Sequence, residues 1–213
     1  MNKHLGKLAY QNVTISGPSG VGTTTLLRLL KEKLDADWQG FNGGDFMRAY
    51  AAEQGLFDNN NKLHHSSAVY GEEFDREVDM GMREKLKTEK HWILESWLSG
   101  FMAQGVPEVL KVLLICSSEA VRIDRVVNRD RVTIDEAKEH MQRRYQENLE
   151  KWSRMYKAEW QKWLIDPGRV SPDDPIDFWR PDIYDVVIDT YSASAEETRD
   201  KVLHALKKKK SQT

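Results

Sequence analysis

Residues 13–25 combine glycines and hydroxyl side chains at the spacing of a phosphate-binding loop. The segment reads Val-Thr-Ile-Ser-Gly-Pro-Ser-Gly-Val-Gly-Thr-Thr-Thr, an apolar strand pattern that runs into a glycine-rich turn and then a helical pattern. Such a context suits the motif G-x-x-x-x-G-K-[ST], because glycines let backbone N–H groups converge on a phosphate and a helix N-terminus adds partial positive charge. The residues expected around the phosphates are Gly17, Pro18, Ser19, Gly20, Val21, Gly22, Thr23, Thr24 and Thr25.

The loop departs from the motif at one position. Thr24 stands where a hydroxyl normally holds Mg²⁺, but Thr23 takes the place of the lysine that contacts the β- and γ-phosphates. Three interpretations follow: a glycine-rich turn without a nucleotide, a loop that binds but no longer catalyses, or an enzyme whose cations come from elsewhere in the chain. We favour the third, because the first leaves three small residues and three threonines without a use.

Arginines further along the chain could supply the missing charge. Arg122, Arg125 and Arg129 recur at intervals of three and four, so they share one face of a predicted helix, and Arg131 and Arg143-Arg144 follow. A solvated basic face is the alternative interpretation. Because phosphoryl transfer depends on neutralising charge at the transferred group, we interpret Arg129 and Arg144 as functional. For Arg122 and Arg143 both interpretations stay open.

Three acidic residues could contact a metal or a substrate. Glu95 ends an apolar strand pattern, where its carboxylate could hold Mg²⁺ or cap the next helix. Asp75 and Asp79 are four residues apart in a helical pattern. Metal ligation is possible at that spacing, but we favour a solvent-facing pair or a hydrogen bond to substrate.

Short apolar strand patterns alternate with helical patterns along the chain. The predicted strands are 8–16, 38–41, 92–95, 109–116 and 184–189, and the predicted helices are 24–35, 45–54, 66–89, 118–129, 133–165 and 194–208. Prolines in 166–181 predict an ordered loop in which Phe178 and Trp179 pack inwards. We expect an α/β fold with a parallel sheet covered by helices on both faces, and a ligand at the carboxyl ends of the strands.

The composition predicts one globular domain. The chain has 213 residues, of which 39% are hydrophobic and 31% are charged, and this balance is typical of a soluble globular protein. A net charge of −2 argues against nucleic acid as a partner, and no run of apolar residues is long enough for a membrane span. Cys116 is the single cysteine, so no disulfide can form within the chain. We expect a cytoplasmic protein.

The arrangement of these motifs resembles that of the nucleoside monophosphate kinases, and most of all the archaeal-type cytidylate kinases. The matching segments, which span about residues 10–205, are Ile15-Ser-Gly-Pro-Ser-Gly-Val-Gly-Thr-Thr-Thr25, Gly44-Asp-Phe-Met-Arg48-Ala, Glu73-Phe-Asp-Arg-Glu-Val-Asp79, Ile93-Leu-Glu-Ser-Trp-Leu98, Arg125-Val-Val-Asn-Arg129, Arg144-Tyr145 with Tyr156, and Tyr184-Asp-Val-Val-Ile-Asp-Thr190. Some members of this family also carry threonine in place of the loop lysine.

The resemblance implies a P-loop kinase with a core, a monophosphate-binding section at about 45–89 and a lid at about 129–144. The implied reaction transfers the γ-phosphoryl group of ATP to CMP or dCMP with Mg²⁺, in a monomer that binds only small nucleotides. The implied roles by position are Arg48 on the acceptor phosphate, Asp45 and Asp75 near the acceptor sugar or base, Arg125 against the donor adenine, Arg129, Arg131 and Arg144 around the transferred group, and Thr24 and Glu95 on Mg²⁺.

One departure from the family concerns the acceptor. The family often has Gly-Arg after the strand that ends in Glu95, and this chain has Ser96-Trp97 instead. Stacking of the acceptor base on Trp97 is therefore one possibility, and the preferred base stays open. The alternatives to a cytidylate kinase are a P-loop kinase for another small acceptor and a nucleotide-binding regulatory protein without transfer activity.

Overall fold

The computed structural model describes residues 8–53 and 70–208, and its centre is a parallel sheet. The strands of the described residues are β1 (Asn12–Ser16), β2 (Gln39–Asn42), β3 (Trp92–Glu95), β4 (Val109–Ile115) and β5 (Val186–Asp189). Their order across the sheet is β2-β3-β1-β4-β5, and every neighbouring pair is parallel. The predicted α/β fold class is confirmed, and each predicted strand is present. The strands β1, β4 and β5 are shorter than predicted, β2 begins and ends one residue later, and β3 has the predicted bounds.

Helices connect the strands, as the alternating pattern predicts. The α-helices in the described ranges are α1 (Thr23–Lys33), α2 (Gly43–Glu53), α3 (Glu72–Thr88), α4 (Ser99–Met102), α5 (Glu119–Asp130), α6 (Ile134–Met155), α7 (Lys157–Trp160) and α8 (Ala195–Leu206). The predicted helix 133–165 is divided into α6, α7 and a π-helical segment, Gln161–Ile165. The one-turn helix α4 was not predicted. Residues 54–69 of the expected monophosphate-binding section lie outside the described residues.

Both faces of the sheet are buried, which explains the apolar run 112–115 of β4. Val112 and Leu114 belong to one core cluster, which α1 and α8 cover, whereas Leu113 points to the opposite face and a second cluster. This alternation follows from the two-residue period of a strand. A sheet covered on both faces leaves the strand ends as the places where polar side chains can reach a ligand.

The second core cluster is rich in aromatic residues. It joins Trp152, Tyr156 and Trp160 of the α6–α7 region to Phe178 and Trp179 of the proline-rich loop. Phe178 is fully buried and Trp179 is 8% exposed, which confirms that this loop packs onto the protein body. The cluster therefore fixes the long helix α6 against the sheet.

The strand register brings polar residues together at the carboxyl edge. Glu95 of β3 lies opposite Ile15 of β1 and Asn42 of β2, so its carboxylate is next to the glycine-rich loop that follows β1.

In the described part of the chain, no helix is both long enough and apolar enough to cross a membrane.

Candidate active site

A cavity of about 900 Å³ opens at the carboxyl edge of the sheet. One part of its lining comes from the glycine-rich loop, with Arg125 and Thr190 beside it. Another part comes from α2, α3, the turn after β3 and α6. The predicted site residues in this lining are Pro18, Ser19, Gly20, Val21, Gly22, Thr23, Thr24, Thr25, Asp45, Arg48, Asp75, Glu95, Trp97, Arg125, Arg129 and Arg144. The cavity thus brings together most of the residues that the sequence analysis selected.

The conformation of the glycine-rich loop depends on its glycines. A Cβ on Gly17 would lie 2.6 Å from the carbonyl oxygen of Leu114, so only glycine fits there. Gly20 and Gly22 have φ values of 84° and 95°, in the left-handed region that side chains disfavour. A Cβ on Gly22 would meet no atom within 4 Å. Gly22 lines the cavity, so this position is open to an approaching ligand.

Side chains outside the loop hold its carbonyl groups. Arg122 Nε donates to the oxygen of Ser19 at 3.3 Å, and Arg125 Nη1 donates to that of Gly20 at 3.2 Å. The Thr190 hydroxyl donates to the oxygen of Val21 at 3.0 Å. Among the described residues, none accepts a hydrogen bond from the backbone N–H groups of residues 19–22. These N–H groups are therefore available to phosphate oxygens.

The threonine in the place of the lysine has a defined partner. The Thr23 hydroxyl lies beside the Glu95 carboxylate, where it favours the charged form of the acid. Burial outweighs this effect and raises the pKa of Glu95 to about 7. Glu95 is 6% exposed, and the ion pairs among the described residues do not include it. A buried carboxylate of this kind is stabilised by a cation.

Thr24 and Asn42 stand close to this carboxylate in the cavity lining. The Thr24 hydroxyl accepts a hydrogen bond of 3.4 Å from Asn42 Nδ2, and Asn42 Oδ1 accepts one from the backbone N–H of Asp45. The hydroxyl and carboxylate oxygens are the hard donors that Mg²⁺ prefers. The donor set of Thr24 and Glu95 therefore fits a magnesium ion.

Three arginines from different helices meet at the cavity. Arg48 of α2 pairs with Asp45, one turn earlier, while Arg129 of α5 pairs through two 2.7 Å hydrogen bonds with the buried Asp130. Arg144 of α6 lies over the ring of Trp97. Burial, followed by the charges of Arg129 and Arg48, lowers the pKa of Arg144 to about 10. This mutual repulsion indicates a site arranged for a highly charged anion.

The other arginines of the sequence analysis take different positions. Arg125 uses both terminal nitrogens to bind the hydroxyl and the carbonyl of Thr190, at 2.9 and 2.8 Å, while it still lines the cavity. Arg131 is exposed at the C-terminal end of α5, with a φ of 56°, and the structure does not bring it into the cavity lining. Arg143 is exposed and pairs with Glu139.

The acidic pair of α3 faces inwards. Asp75 is 5% exposed and forms a 2.8 Å ion pair with the buried Lys151 of α6, while Asp79 accepts a 2.6 Å hydrogen bond from the hydroxyl of Tyr156. Both line the cavity, so the solvent-facing interpretation of this pair was wrong. Burial raises the pKa of Asp79 to about 7. The described residues contain no group of three or more His, Cys, Asp or Glu that could hold a metal ion.

Several cavity residues escaped the sequence analysis. They are Tyr70, Asp130, Asn148 and Trp152 in the lining, together with Lys151, which binds the lining residues Tyr70 and Asp75. Arg144, Asn148 and Lys151 are separated by four and three residues, which places them on one face of α6. Their periodic spacing was the signal that could have identified them.

Comparisons with known proteins agree with this geometry. Residues 13–150 match a family described as AAA domain. A cytidylate kinase from Archaeoglobus fulgidus is 31% identical over 198 residues, which cover 93% of this chain and 96% of that protein. A cytidylate kinase from Methanothrix thermoacetophila is 38% identical over 125 residues, which cover 59% of this chain and 67% of that protein.

A solved structure shares the fold at low sequence identity. An uncharacterized protein from Eubacterium ventriosum superposes with a TM-score of 0.59 and 12% identity, over 93% of this chain and 99% of that one. This similarity concerns the fold alone. The match to the archaeal enzymes, which extends over most of the chain, shows that the chain belongs to the cytidylate kinase family of P-loop nucleoside monophosphate kinases.

Proposed function

We propose that this protein transfers the γ-phosphoryl group of ATP to a pyrimidine nucleoside monophosphate, CMP or dCMP, and releases the diphosphate and ADP. The observation that carries the proposal is a single cavity lined both by a phosphate-binding loop and by the arginines and acids of α2, α3 and α6. A regulatory protein that only binds a nucleotide has no need of the arginines and acids that α2, α3 and α6 contribute. The family relationship also disfavours an acceptor of another class.

The donor is assigned to the glycine-rich loop. Backbone N–H groups of residues 19–22 bind phosphate oxygens, and Arg125, fixed by Thr190, lies against the adenine. Because Arg122 and Arg125 hold the loop carbonyls, the loop is ready for phosphate before ATP arrives. Less reorganisation on binding means that more of the interaction energy is kept.

The acceptor is assigned to α2, α3 and the turn after β3. Arg48 binds its phosphate, and Asp45, Asp75 and Trp97 lie near its sugar or base. Arg129, Arg131 and Arg144 surround the transferred phosphoryl group, with 129–144 acting as a lid over a monophosphate-binding section at 45–89. In this arrangement Arg129 exchanges Asp130 for a phosphate, and Arg131 enters only when the lid moves.

Thr24 and Glu95 would hold Mg²⁺. The ion supplies charge neutralisation at the phosphate oxygens when it is bound. Glu95 becomes ionised more readily beside a cation, which reverses the effect of burial on its pKa. The remaining work of the chain is to position the two substrates and to exclude water from the transfer.

A coupled assay across a panel of nucleoside monophosphates tests the proposal. ADP release is followed with AMP, CMP, dCMP, GMP, UMP and dTMP as acceptors, and ATP alone measures the background. We expect the highest kcat/KM with CMP or dCMP. Rates that do not exceed the ATP-only background with any acceptor would refute the proposed reaction. A preference for a purine nucleotide would refute the proposed acceptor.

A further inference from the structure

Arg144 is held differently from the other two arginines of the cavity. Its guanidinium carbon lies 4.8 Å from the centroid of the Trp97 ring. Arg48 and Arg129 both form ion pairs, with Asp45 and Asp130, but none of the described carboxylates pairs with Arg144. The Nε atom of Arg144 is buried and has no hydrogen-bond partner among the described residues. Among the described residues, the Trp97 ring thus contacts the guanidinium, and the Glu95 carboxylate acts on its charge from beyond ion-pair distance.

Trp97 itself is firmly placed. Its ring packs edge-on against Trp152 and Trp179, with centroids 5.7 and 5.5 Å away. The indole N–H of Trp179 donates to the Trp97 carbonyl at 2.9 Å, which fixes the backbone as well. Since Trp97 follows β3 by two residues, these contacts tie its ring to the same edge of the sheet as Glu95.

The kind of contact determines what the arginine can still do. A carboxylate neutralises a guanidinium and occupies its N–H groups, so a phosphate must first displace that carboxylate. An aromatic ring attracts the flat face of the guanidinium and leaves the N–H groups at its edge free. Arg144 is thus oriented without being neutralised, whereas Arg48 and Arg129 must exchange a partner when substrate binds.

We propose that Trp97 is a positioning residue for phosphoryl transfer, which holds Arg144 by its ring face so that the N–H groups stay free for phosphate oxygens. The inference rests on the proposed kinase function. It also gives a reason for the departure at this position, where the family resemblance led us to expect an arginine. The chain has no cation at position 97, but the tryptophan at that position orients Arg144 of α6.

This role differs measurably from stacking of the acceptor base on Trp97. A positioning residue acts on the charge that develops during transfer, so its loss lowers kcat. A base-stacking residue acts on the bound acceptor, so its loss raises the acceptor KM while kcat changes little. The two parameters therefore separate the two roles.

The test replaces Trp97 by Tyr, Phe, Leu and Met in the full chain. We expect Trp97→Leu and Trp97→Met to lower kcat about tenfold, the effect of losing a desolvated cation–π contact, and Trp97→Tyr and Trp97→Phe to stay within about threefold of the parent. The KM for CMP should change less than threefold throughout. Trp92→Leu is the matched control, because Lys85 lies 4.1 Å from the Trp92 ring centroid outside the cavity, and its kcat should equal that of the parent.

A double-mutant cycle separates positioning from general support of the fold. Once Arg144→Ala has removed the arginine, adding Trp97→Leu should cost less than a twofold further loss in kcat. An undiminished further loss would overturn the inference, and so would a change confined to the acceptor KM or equal kcat values for Trp97→Phe and Trp97→Leu. If thermal unfolding shows that Trp97→Leu does not fold, the kcat of Trp97→Met decides the test instead.

Failure of the proposed function gives a different result. A parent chain that transfers no phosphoryl group refutes the kinase assignment and the positioning role together. A parent chain that is active, with an unchanged kcat in both Trp97→Leu and Trp97→Met, refutes the positioning role alone.

Discussion

Arg48 is the residue whose replacement should separate acceptor binding from donor binding. It lines the cavity from α2, and Asp45 orients it from one turn earlier. In the proposed donor site the glycine-rich loop binds phosphate through its backbone, so ATP binding should not depend on this side chain.

We predict that Arg48→Ala weakens CMP binding by about 1.5–3 kcal/mol, the range for a charged hydrogen bond, and leaves ATP binding nearly unchanged. Isothermal titration with each nucleotide measures both. Arg28→Ala is the matched control, because Arg28 forms a similar exposed pair with Glu32 on α1 away from the cavity. A parental affinity for CMP in Arg48→Ala would show that Arg48 has no such role.

Arg129 and Thr23 test whether arginines compensate for the missing loop lysine. We predict that Arg129→Ala lowers kcat by roughly 10³-fold, because it removes a cation that stabilises charge in the transition state. ATP affinity should fall much less, since Arg129 is bound to Asp130 before substrate arrives. The measurement is steady-state kinetics with CMP.

Two further variants complete this test. Arg199→Ala is the control for loss of an arginine that pairs with the next residue, as Arg199 does with Asp200 on α8. Thr23→Lys in the Arg129→Ala background should restore part of the rate, because position 23 adjoins the Glu95 carboxylate and a lysine fits the first turn of a helix. Near-parental turnover of Arg129→Ala would contradict compensation.

At the scale of the elements, the glycine-rich loop gives a prediction for a backbone position. Gly22 has a φ of 95°, and a Cβ there would point into open space beside the cavity. We predict that Gly22→Val abolishes ATP binding, because a branched side chain would stand where the phosphate approaches. Calorimetric titration with ATP measures the effect.

The backbone strain of this substitution needs its own control. Gly105 also has a left-handed φ, of 71°, and open space around its Cβ, but it does not line the cavity. Gly105→Val should therefore lower stability while ATP still binds. If Gly22→Val bound ATP as the parent does, the assignment of the loop would be wrong.

The elements themselves could be predicted from the sequence because their signals are local. The apolar run 112–115 of β4 indicates a strand buried on both faces, Val13 and Ile15 give β1 its strand pattern, and the motif that follows β1 indicates the phosphate loop. The carboxyl ends of the strands in a parallel sheet share one edge, so the position of Glu95 at this edge could also be predicted. These inferences need only the residue types and their order along the chain.

What escaped prediction depends on contacts between distant segments. Lys151 pairs with Asp75 across 76 positions of the chain, and Tyr156 binds Asp79 across 77. Their partners turn two acids that could have faced solvent into buried groups of the cavity. The end of α6 at Met155 likewise depends on the aromatic cluster beneath it, which a helical pattern alone does not reveal.

The protonation of Asp79, a residue of the cavity lining, affects the stability of the whole molecule. Burial, together with the negative charge of Asp75, raises the pKa of Asp79 from 3.8 to about 7, against the hydrogen bond from Tyr156 and the positive charge of Lys151. The native state therefore binds this proton more tightly than the unfolded state does. Its contribution to stability is fully present below about pH 4 and is lost as the pH rises towards 7.

We predict that Asp79→Asn gains stability relative to the parent between pH 5 and pH 8, by on the order of 2 kcal/mol. The asparagine oxygen can still accept the bond from the Tyr156 hydroxyl and has no charge to desolvate. Urea unfolding at a series of pH values gives the difference in free energy. Asp200→Asn is the control. Arg199 lowers the pKa of Asp200, so the change in stability with rising pH should have the opposite sign in this variant. A difference that stays constant with pH would contradict the assignment.

A phosphate loop without its lysine should support phosphoryl transfer to a pyrimidine monophosphate. The most direct measurement follows the label from ATP labelled at the γ-phosphate, with CMP, Mg²⁺ and the full chain, and separates the products by chromatography. We expect label to appear in CDP, and we expect Gly22→Val to abolish this transfer. Binding of ATP and CMP by calorimetry, without labelled CDP at any time, would show a protein that binds nucleotides but does not transfer the phosphoryl group.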